Sequence, residues 1–270
     1  MSGAIGVFDS GLGGLTAVGE LHRQLPAEEI IYFGDTGRVP YGTRGRDTII
    51  KYTRQDIRFL LSHRVKAIVV ACGTASSVAL PEVRGLYDLP ICGVIEHAAR
   101  AAAEATKNGK IAVIGTPATI GSGAYEAALR AYDARLSVES AATPLLVPLV
   151  ENGRFQRGDR VTKLVLEEYL GPLLAGGADT LILGCTHYPL LRELVAELAP
   201  GVTLINPGAE TARAVAAALR EQGLAEAEGH PGIRCFVSDD PASFALHAEQ
   251  FLGFPLSHPV ERVEIDRYEP

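Results

Sequence analysis

The chain has 270 residues, of which 47% are hydrophobic and 21% charged, and its formal net charge is −7. This composition is typical of a globular α/β protein with one large or two moderate domains. The acidic balance argues against nucleic acid as the main partner. No apolar run is long enough to span a membrane and a strand begins almost at the N-terminus, so we expect a cytoplasmic protein. The four cysteines show no C-x-x-C pairing, and we expect no disulfides.

Short apolar runs alternate with amphipathic segments, a pattern that predicts a parallel sheet covered by helices. The first strand is predicted at Ala4–Phe8, and a glycine-rich turn leads from it into a helix that ends near Leu25. This turn lacks the third glycine of the dinucleotide fingerprint, because Thr16 stands there, so we do not expect a nucleotide site. Further strands are predicted at Ile30–Phe33, in the run before Cys72 and at Ile91–Ile95, with helices through about His63 and about Lys107.

The pattern restarts near residue 110. Ile111–Pro117 resembles Ile5–Asp9, and the apolar run before Cys185 resembles the run before Cys72. These pairs predict two related halves, which we place at residues 1–95 with 208–270 and at residues 96–207. The chain continues with a helix over 161–174, a helix to about Gln222, a polar loop through Gly232, a strand at Arg234–Val237 and a last helix capped by Asp239-Asp240-Pro241.

Cys72 and Cys185 each follow a predicted buried strand. Ligands bind at the carboxyl ends of such strands, so we expect both thiols to face one cleft. Two thiols on opposite faces of a carbon can invert its configuration, because a thiolate removes a proton from one face while a thiol returns one to the other. His187 could stabilise a thiolate at Cys185, and Asp9 could relay a proton at Cys72.

Structural roles are the alternative for each of these residues. A cysteine in a strand usually belongs to the core, which is what we expect of Cys92 and Cys235. Asp9 could cap the following helix, and His187 could make a structural hydrogen bond. A metal site is not predicted, because Cys185 and His187 are the only close Cys/His pair and zinc requires three or four ligands.

Five motifs in order resemble those of the glutamate racemases in the aspartate/glutamate racemase family. The resemblance covers essentially the whole chain and implies two pseudo-symmetric, doubly wound parallel-sheet α/β domains with the active site in the cleft between them. It also implies a cofactor-independent interconversion of L- and D-glutamate that supplies D-glutamate for peptidoglycan synthesis, carried out by a cytoplasmic homodimer. The motifs are Phe8–Thr16, Gly34–Thr36, Pro40–Gly42, Ala71–Ser76 and Gly184–Pro189.

The resemblance further implies roles for single residues. Cys72 and Cys185 would be the acid/base pair, assisted by Asp9, Glu151 and His187. No lysine lies in a motif that suggests a Schiff base, so pyridoxal phosphate is not expected. The substrate would contact a set drawn from both halves: Asp9, Ser10, Pro40, Tyr41, Gly42, Gly73, Thr74, Thr116, Thr119, Thr186 and His187.

Three positions depart from the family pattern. Gly73 stands where asparagine is usual, His97-Ala98 where Pro-Gly is common, and Asn206-Pro207 where Asp-Ser is common. Losing the asparagine hydrogen bond to the substrate should cost about 1.5–3 kcal/mol, and Gly73 should open space beside the thiol. Three other functions therefore stay open: a racemase of another acidic amino acid such as aspartate, a thiol hydrolase using Cys185 and His187, and a weakly active or non-catalytic binding protein.

Overall fold

The structure is a computed structural model that describes residues 3–228 and 232–269, so part of the predicted polar loop, 229–231, lies outside the described residues. The strands form two sheets, and every described strand pairing is parallel. The strands are β1 Ala4–Asp9, β2 Ile30–Gly34, β3 Val65–Val70, β4 Ile91–Gly93, β5 Lys110–Gly115, β6 Ser137–Ala142, β7 Thr180–Leu183, β8 Thr203–Ile205, β9 Ile233–Val237 and β10 Glu261–Arg262.

The two sheets repeat one strand order. The first sheet runs β10-β9-β2-β1-β3-β4 and the second runs β6-β5-β7-β8. The common unit has the order second, first, third, fourth. It is β2-β1-β3-β4 in the first sheet and β6-β5-β7-β8 in the second. The predicted pseudo-symmetric α/β fold is therefore confirmed. The last two strands, β9 and β10, extend the first sheet beyond this common unit.

Side chains on both faces of the first sheet are buried. Along β1, Ile5 and Val7 enter one core cluster while Ala4 and Phe8 enter another. This alternation follows from the period of two in a strand, and burial on both faces explains why β1 reads as a continuous apolar run. The covering helices are α1 Leu15–Gln24, α2 Arg46–Leu61, α3 Gly73–Val78, α4 Leu80–Val83, α5 Ile95–Ala105, α6 Pro117–Gly121, α7 Ala124–Tyr132, α8 Leu146–Glu151, α9 Arg160–Ala175, α10 Arg192–Leu198, α11 Pro207–Glu221 and α12 Pro241–Leu252.

Polar side chains begin several of these helices. Asp240 accepts a hydrogen bond from the amide of Ala242, which confirms the predicted cap of the last helix. Asn206 caps α11 by accepting from the amides of Gly208 and Ala209, so this departure from the family pattern has a structural role. Such side chains satisfy amide groups that have no partner inside the helix.

Three strands differ from the predictions: β4 is shorter, and neither β6 nor the two-residue β10 was predicted. The predicted strand Ile91–Ile95 ends at Gly93, because Ile95 already begins α5. The edge strand β6 was not predicted, because its sequence, Ser-Val-Glu-Ser-Ala-Ala, is only partly apolar and its side chains are partly or fully exposed. Pairing with β5 along its whole length makes it a strand.

The core positions predicted for Cys92 and Cys235 are confirmed only for Cys235. All four are free thiols, and Cys235 is buried while Cys92 is partly buried. Across residues 3–228 and 232–269, no helix combines the length and the apolar character needed to cross a membrane.

Candidate active site

A cavity of about 270 Å³ lies where the carboxyl ends of the two sheets face each other. It is lined by residues that follow β1 and β3 of the first sheet and β5 and β7 of the second. Both thiols, Cys72 and Cys185, belong to this lining, as expected from their positions after strands. Every residue predicted for the site contributes to the wall: Asp9, Ser10, Pro40, Tyr41, Gly42, Cys72, Gly73, Thr74, Thr116, Thr119, Glu151, Cys185, Thr186 and His187.

Cys72 is held at the start of α3. Its Sγ accepts a hydrogen bond from the amide of Ala75 at 3.4 Å, so the thiol also caps the helix. Burial, and then the negative charge of Asp9, raise the pKa of Cys72 to about 12, and hydrogen bonds from Ala75 and Ser10 offset this only in part. The Cys72 thiol therefore keeps its proton at neutral pH.

Asp9 connects the glycine-rich turn to the second half of the molecule. Its Oδ2 accepts from the amides of Gly11 at 3.2 Å and Gly14 at 3.0 Å, and Oδ1 accepts from Thr186 Oγ1 at 3.4 Å. Burial raises the pKa of Asp9, while the charge of His187 and the neighbouring amides oppose the increase. Asp9 thus holds the turn before α1 and also lines the cavity. It does not cap α1 as the structural alternative predicted, because the N-cap residue is Gly14 and no side chain caps this helix.

Cys185, His187 and Glu151 form a chain of hydrogen bonds on the other side. Nδ1 of His187 lies 3.7 Å from Sγ of Cys185, and Nε2 lies 3.1 Å from Oε1 of Glu151. Burial lowers the pKa of His187, but hydrogen bonds to Cys185 and Glu151 outweigh it, so the pKa rises to about 10. The imidazole is therefore protonated at neutral pH and donates from both nitrogens. Glu151 is 40% exposed, so solvent screens its part of the interaction.

Three threonine hydroxyls meet on the wall between the halves. Oγ1 of Thr74 lies 3.0 Å from Oγ1 of Thr116 and 3.4 Å from Oγ1 of Thr119, and Thr116 donates to Thr119 at 2.9 Å. Neutral hydroxyl donors suit a carboxylate, whereas the carboxylate of Asp9 suits an ammonium group. The cavity therefore offers separate positions for the two charged ends of an acidic amino acid.

Gly73 lies against the backbone of the other half. A β-carbon at this position would be 2.8 Å from the carbonyl oxygen of Gly184, closer than real β-carbons come to a neighbour. The space that we expected Gly73 to open beside Cys72 is therefore occupied on this side by Gly184. The close approach of the two halves, which only the tertiary structure shows, is the reason.

Part of the cavity wall was not predicted. Half of its residues come from the segment after β6, and its side chains carry no acid/base groups, so no chemical pattern marked them in the sequence. His97 is not among the lining residues. Among the described residues, no group of three or more His, Cys, Asp or Glu side chains could hold a metal ion. The unpredicted wall consists of Val39, Thr43, Pro117, Thr143, Pro144, Val147, Pro148 and Gly184.

Known proteins resemble this chain over nearly its full length. Residues 5–215 match the model of the Asp/Glu/Hydantoin racemase family. The glutamate racemase of Neisseria meningitidis is 47% identical over 251 residues, which cover 92% of each chain. The crystal structure of glutamate racemase from Francisella tularensis in complex with D-glutamate has a TM-score of 0.92 at 37% identity and covers 99% of both chains.

A more distant neighbour shares the fold alone. The aspartate racemase of Picrophilus torridus is 17% identical, with a TM-score of 0.58, over 82% of this chain and 95% of that one. The resemblance found in the five motifs is confirmed by the family model and by relatives that are nearly half identical. The chain belongs to the Asp/Glu/Hydantoin racemase family.

Proposed function

We propose that this chain interconverts L- and D-glutamate by moving the α-proton between two thiols, without a cofactor. The observation that carries the proposal is that Cys72 and Cys185, which follow strands of different sheets, line one cavity. The named glutamate racemases that match over nine-tenths of the chain support glutamate as the substrate.

Removal of the α-proton begins from an asymmetric pair of cysteines. His187 is an imidazolium at neutral pH and lies next to Cys185, and a neighbouring cation favours the thiolate of a cysteine. Cys72 is a thiol, because its pKa is about 12. In the proposed mechanism Cys185, beside His187, serves as the base and the Cys72 thiol serves as the acid.

Inversion uses both cysteines in one turnover. The thiolate of Cys185 takes the α-proton, so an S–H bond forms as the Cα–H bond breaks. The Cys72 thiol then gives its proton to the opposite face of the carbon and becomes the thiolate. The opposite enantiomer is processed in reverse by the form that this turnover leaves, in which Cys72 is the thiolate that takes the α-proton and Cys185 is the thiol that returns one. Asp9 relays protons at Cys72 when the two forms of the enzyme interconvert. No proton is gained or lost overall. The apparent pKa values of the reaction therefore belong to the pair of cysteines and not to either residue alone.

The substrate is expected to lie across the two halves. The hydroxyls of Thr74, Thr116 and Thr119 would hold one carboxylate, and the carboxylate of Asp9 would hold the ammonium group. Both ends are then bound by groups other than the two thiols. Gly73 has no side chain that could bind the substrate and contributes only backbone to the cavity wall. A β-carbon at this position would lie 3.6 Å from Oγ1 of Thr119.

The other functions are less well supported. The aspartate racemase neighbour is 17% identical, far below the relatives named for glutamate. A thiol hydrolase would use Cys185 and His187 alone, whereas a second thiol, Cys72, lines the same cavity. A non-catalytic binding protein would not need either thiol.

The proposal also covers the domain boundaries, the use of the product, the location of the protein and its assembly. The two domains are residues 1–95 with 208–270 and residues 96–207, which agrees with the distribution of the strands between the sheets. The D-glutamate formed is used for peptidoglycan synthesis. The protein acts in the cytoplasm, and it acts as a homodimer.

Exchange of the α-proton in deuterated water tests the proposal directly. Either enantiomer of glutamate should acquire deuterium at Cα and yield the other enantiomer, as followed by NMR and circular dichroism. Aspartate should react far more slowly. Exchange with aspartate but not with glutamate would show that the chain is a racemase of aspartate instead. Binding of glutamate without any exchange would favour the non-catalytic binding protein.

Replacing Glu151 by glutamine should move the alkaline limit of activity to lower pH. The hydrogen bond and charge of Glu151 help to raise the pKa of His187 to about 10, so a neutral partner should lower it. Protonated His187 stabilises the fold fully below its unfolded pKa of 6.5, and this contribution is lost as pH rises through about 10. The measurements are the pH profile of kcat/KM and an NMR titration of the His187 ring.

The control for this change is Glu168→Gln, at an exposed position on α9. It should leave both the profile and the titration as in the unaltered chain. An alkaline limit that stays in place in Glu151→Gln would show that Glu151 does not govern the protonation of His187.

A further inference from the structure

A buried polar cluster lies behind the loop that forms one wall of the cavity. Tyr41 begins a 3-10 turn, Tyr41–Thr43, and its side chain is buried. The hydroxyl of Tyr41 lies 2.5 Å from Oδ2 of Asp35 and 2.9 Å from Oδ2 of Asp56. Both aspartates are buried, and neither lines the cavity.

The hydrogen bonds of this cluster determine where a proton must lie. A phenol has one hydrogen and cannot donate to two carboxylates at once. Asp35 already accepts from Arg38 Nε at 2.7 Å and from Ser238 Oγ at 2.8 Å, so it is the carboxylate to which Tyr41 donates. The second contact of Tyr41 then requires a hydrogen on Asp56, whose O–H donates to the phenol oxygen. The other oxygen of Asp56 accepts a longer bond, 3.3 Å, from Nη2 of Arg38.

The charges lead to the same assignment. Arg38 brings one positive charge to two buried carboxyl groups. Two carboxylates would leave one buried negative charge without compensation, which costs more than protonating one of them. Burial, and then the charge of Asp35, raise the pKa of Asp56 well above its ordinary value, and Arg38 and Tyr41 oppose this only in part.

We propose that Asp56 is a positioning residue whose protonated carboxyl group, acting through Tyr41, holds the cavity loop Pro40–Thr43 in place. The loop meets the second half of the molecule at Gly42, where a β-carbon would lie 3.0 Å from Cβ of Thr116. Pro40, Tyr41 and Gly42 line the cavity, so a shift of this loop changes how the substrate fits. The thiols lie on other segments, and the expected effect is therefore on KM more than on kcat.

Loss of the Asp56 proton should release the loop. The new carboxylate would face the carboxylate of Asp35 across the Tyr41 oxygen, and one of the two hydrogen bonds of Tyr41 would be lost. KM should therefore rise at alkaline pH.

Several charged and titratable groups surround Asp56. Asp9 lies at the end of β1, Asp35 follows β2, and Arg38 and Tyr41 lie in the loop. Tyr52, on the same helix as Asp56, lies under the Arg38 guanidinium, and Asp266 contacts Arg38.

The kinetic test compares Asp56→Asn with Asp56→Ala and depends on the proposed racemase function. The asparagine amide can donate to Tyr41 and accept from Arg38, so KM for glutamate should stay within about threefold of its value in the unaltered chain. The amide does not titrate, so the rise of KM at alkaline pH should disappear. Alanine removes the donor to the Tyr41 oxygen and the acceptor for Nη2 of Arg38, so KM should increase about tenfold or more with a smaller change in kcat. Asp47→Asn, at an exposed position on the same helix, is the matched control.

A substrate-free test uses infrared spectroscopy, because the C=O stretch of a carboxylic acid is separate from that of a carboxylate. The unaltered chain and Asp47→Asn should show the band of a buried carboxylic acid at neutral pH, and Asp56→Asn should lack it. A band that persists in Asp56→Asn, or an asparagine variant that raises KM as much as the alanine variant, would overturn the proposal.

The two tests separate the two proposals. If the unaltered chain does not racemise glutamate but the band disappears in Asp56→Asn, the proposed function fails while the proton on Asp56 stands. Glutamate affinity measured by calorimetry then replaces KM. If Asp56→Ala does not fold, the spectra and the pH dependence of Asp56→Asn still decide.

Discussion

Replacing Cys72 or Cys185 with serine should each abolish racemisation of both glutamate enantiomers, with kcat falling about 10³-fold or more. Inversion needs an acid and a base on opposite faces of the carbon, so losing either thiol stops it. The two variants should differ in α-proton exchange. Cys72→Ser keeps the thiolate of Cys185 beside His187 and should still exchange the α-proton of one enantiomer without inverting it. Cys185→Ser keeps only Cys72, whose pKa of about 12 leaves little thiolate at neutral pH, so it should exchange the α-proton of the other enantiomer far more slowly.

The measurement is deuterium incorporation at Cα, followed by NMR for each enantiomer separately. Cys92→Ser is the matched control, because Cys92 is a free thiol that does not line the cavity. Normal racemisation by Cys72→Ser would contradict the two-thiol mechanism. The absence of racemisation by the unaltered chain would instead leave open the hydrolase with one nucleophilic cysteine. That function predicts an acyl-enzyme that mass spectrometry can detect.

Replacing Gly13 with alanine should lower kcat about 100-fold while the protein still folds. A β-carbon at Gly13 would overlap Oγ1 of Thr186 and would lie 2.5 Å from Nδ1 of His187, the nitrogen that faces Cys185. These are side-chain atoms rather than backbone, so the structure can respond by moving them. The side chains that move are those of the candidate active site, and the loss is therefore one of activity more than of stability.

Gly11→Ala is the matched control for this prediction, because it adds the same methyl group to the same turn. A β-carbon at Gly11 would meet only the side chain of Val39, at 3.4 Å, which is ordinary contact. Both variants should be compared in kcat, KM and thermal unfolding temperature. Equal losses of activity would contradict the specific displacement of His187, and a large drop in the unfolding temperature of Gly13→Ala would indicate a role in folding instead.

Most of the fold follows from local sequence patterns. Buried strands such as β1 and β7 are largely apolar runs, which end at Asp9-Ser10 and before Gly184, so their ends could be predicted. The positions of the thiols could be predicted in the same way. The edge strand β6 could not, because its side chains contact solvent as well as protein and its composition does not distinguish it from a loop. Its identity as a strand comes from pairing with β5.

The candidate site divides in the same way. Cys72, Cys185, Asp9 and His187 were predicted because their chemistry and their positions after strands mark them individually. The apolar wall at Val147 and Pro148 was not, because nothing in their chemistry distinguishes them from core residues until α8 approaches the cavity. The expectation for Gly73 failed for a related reason, since the carbonyl of Gly184 belongs to the other half.

The sequence by itself determined which segments are buried, where the strands end, and that two thiols follow equivalent strands of a repeated unit. These properties are local, because burial and periodicity act on neighbouring residues. Only the tertiary structure decided which charges meet. The imidazolium of His187 depends on Cys185 and, beyond it, on Glu151, which is distant in sequence. The proton on Asp56 depends on burial and on Asp35, Arg38 and Tyr41 surrounding it. Protonation depends on burial and on charges a few ångströms away, and the fold rather than the order of residues sets both.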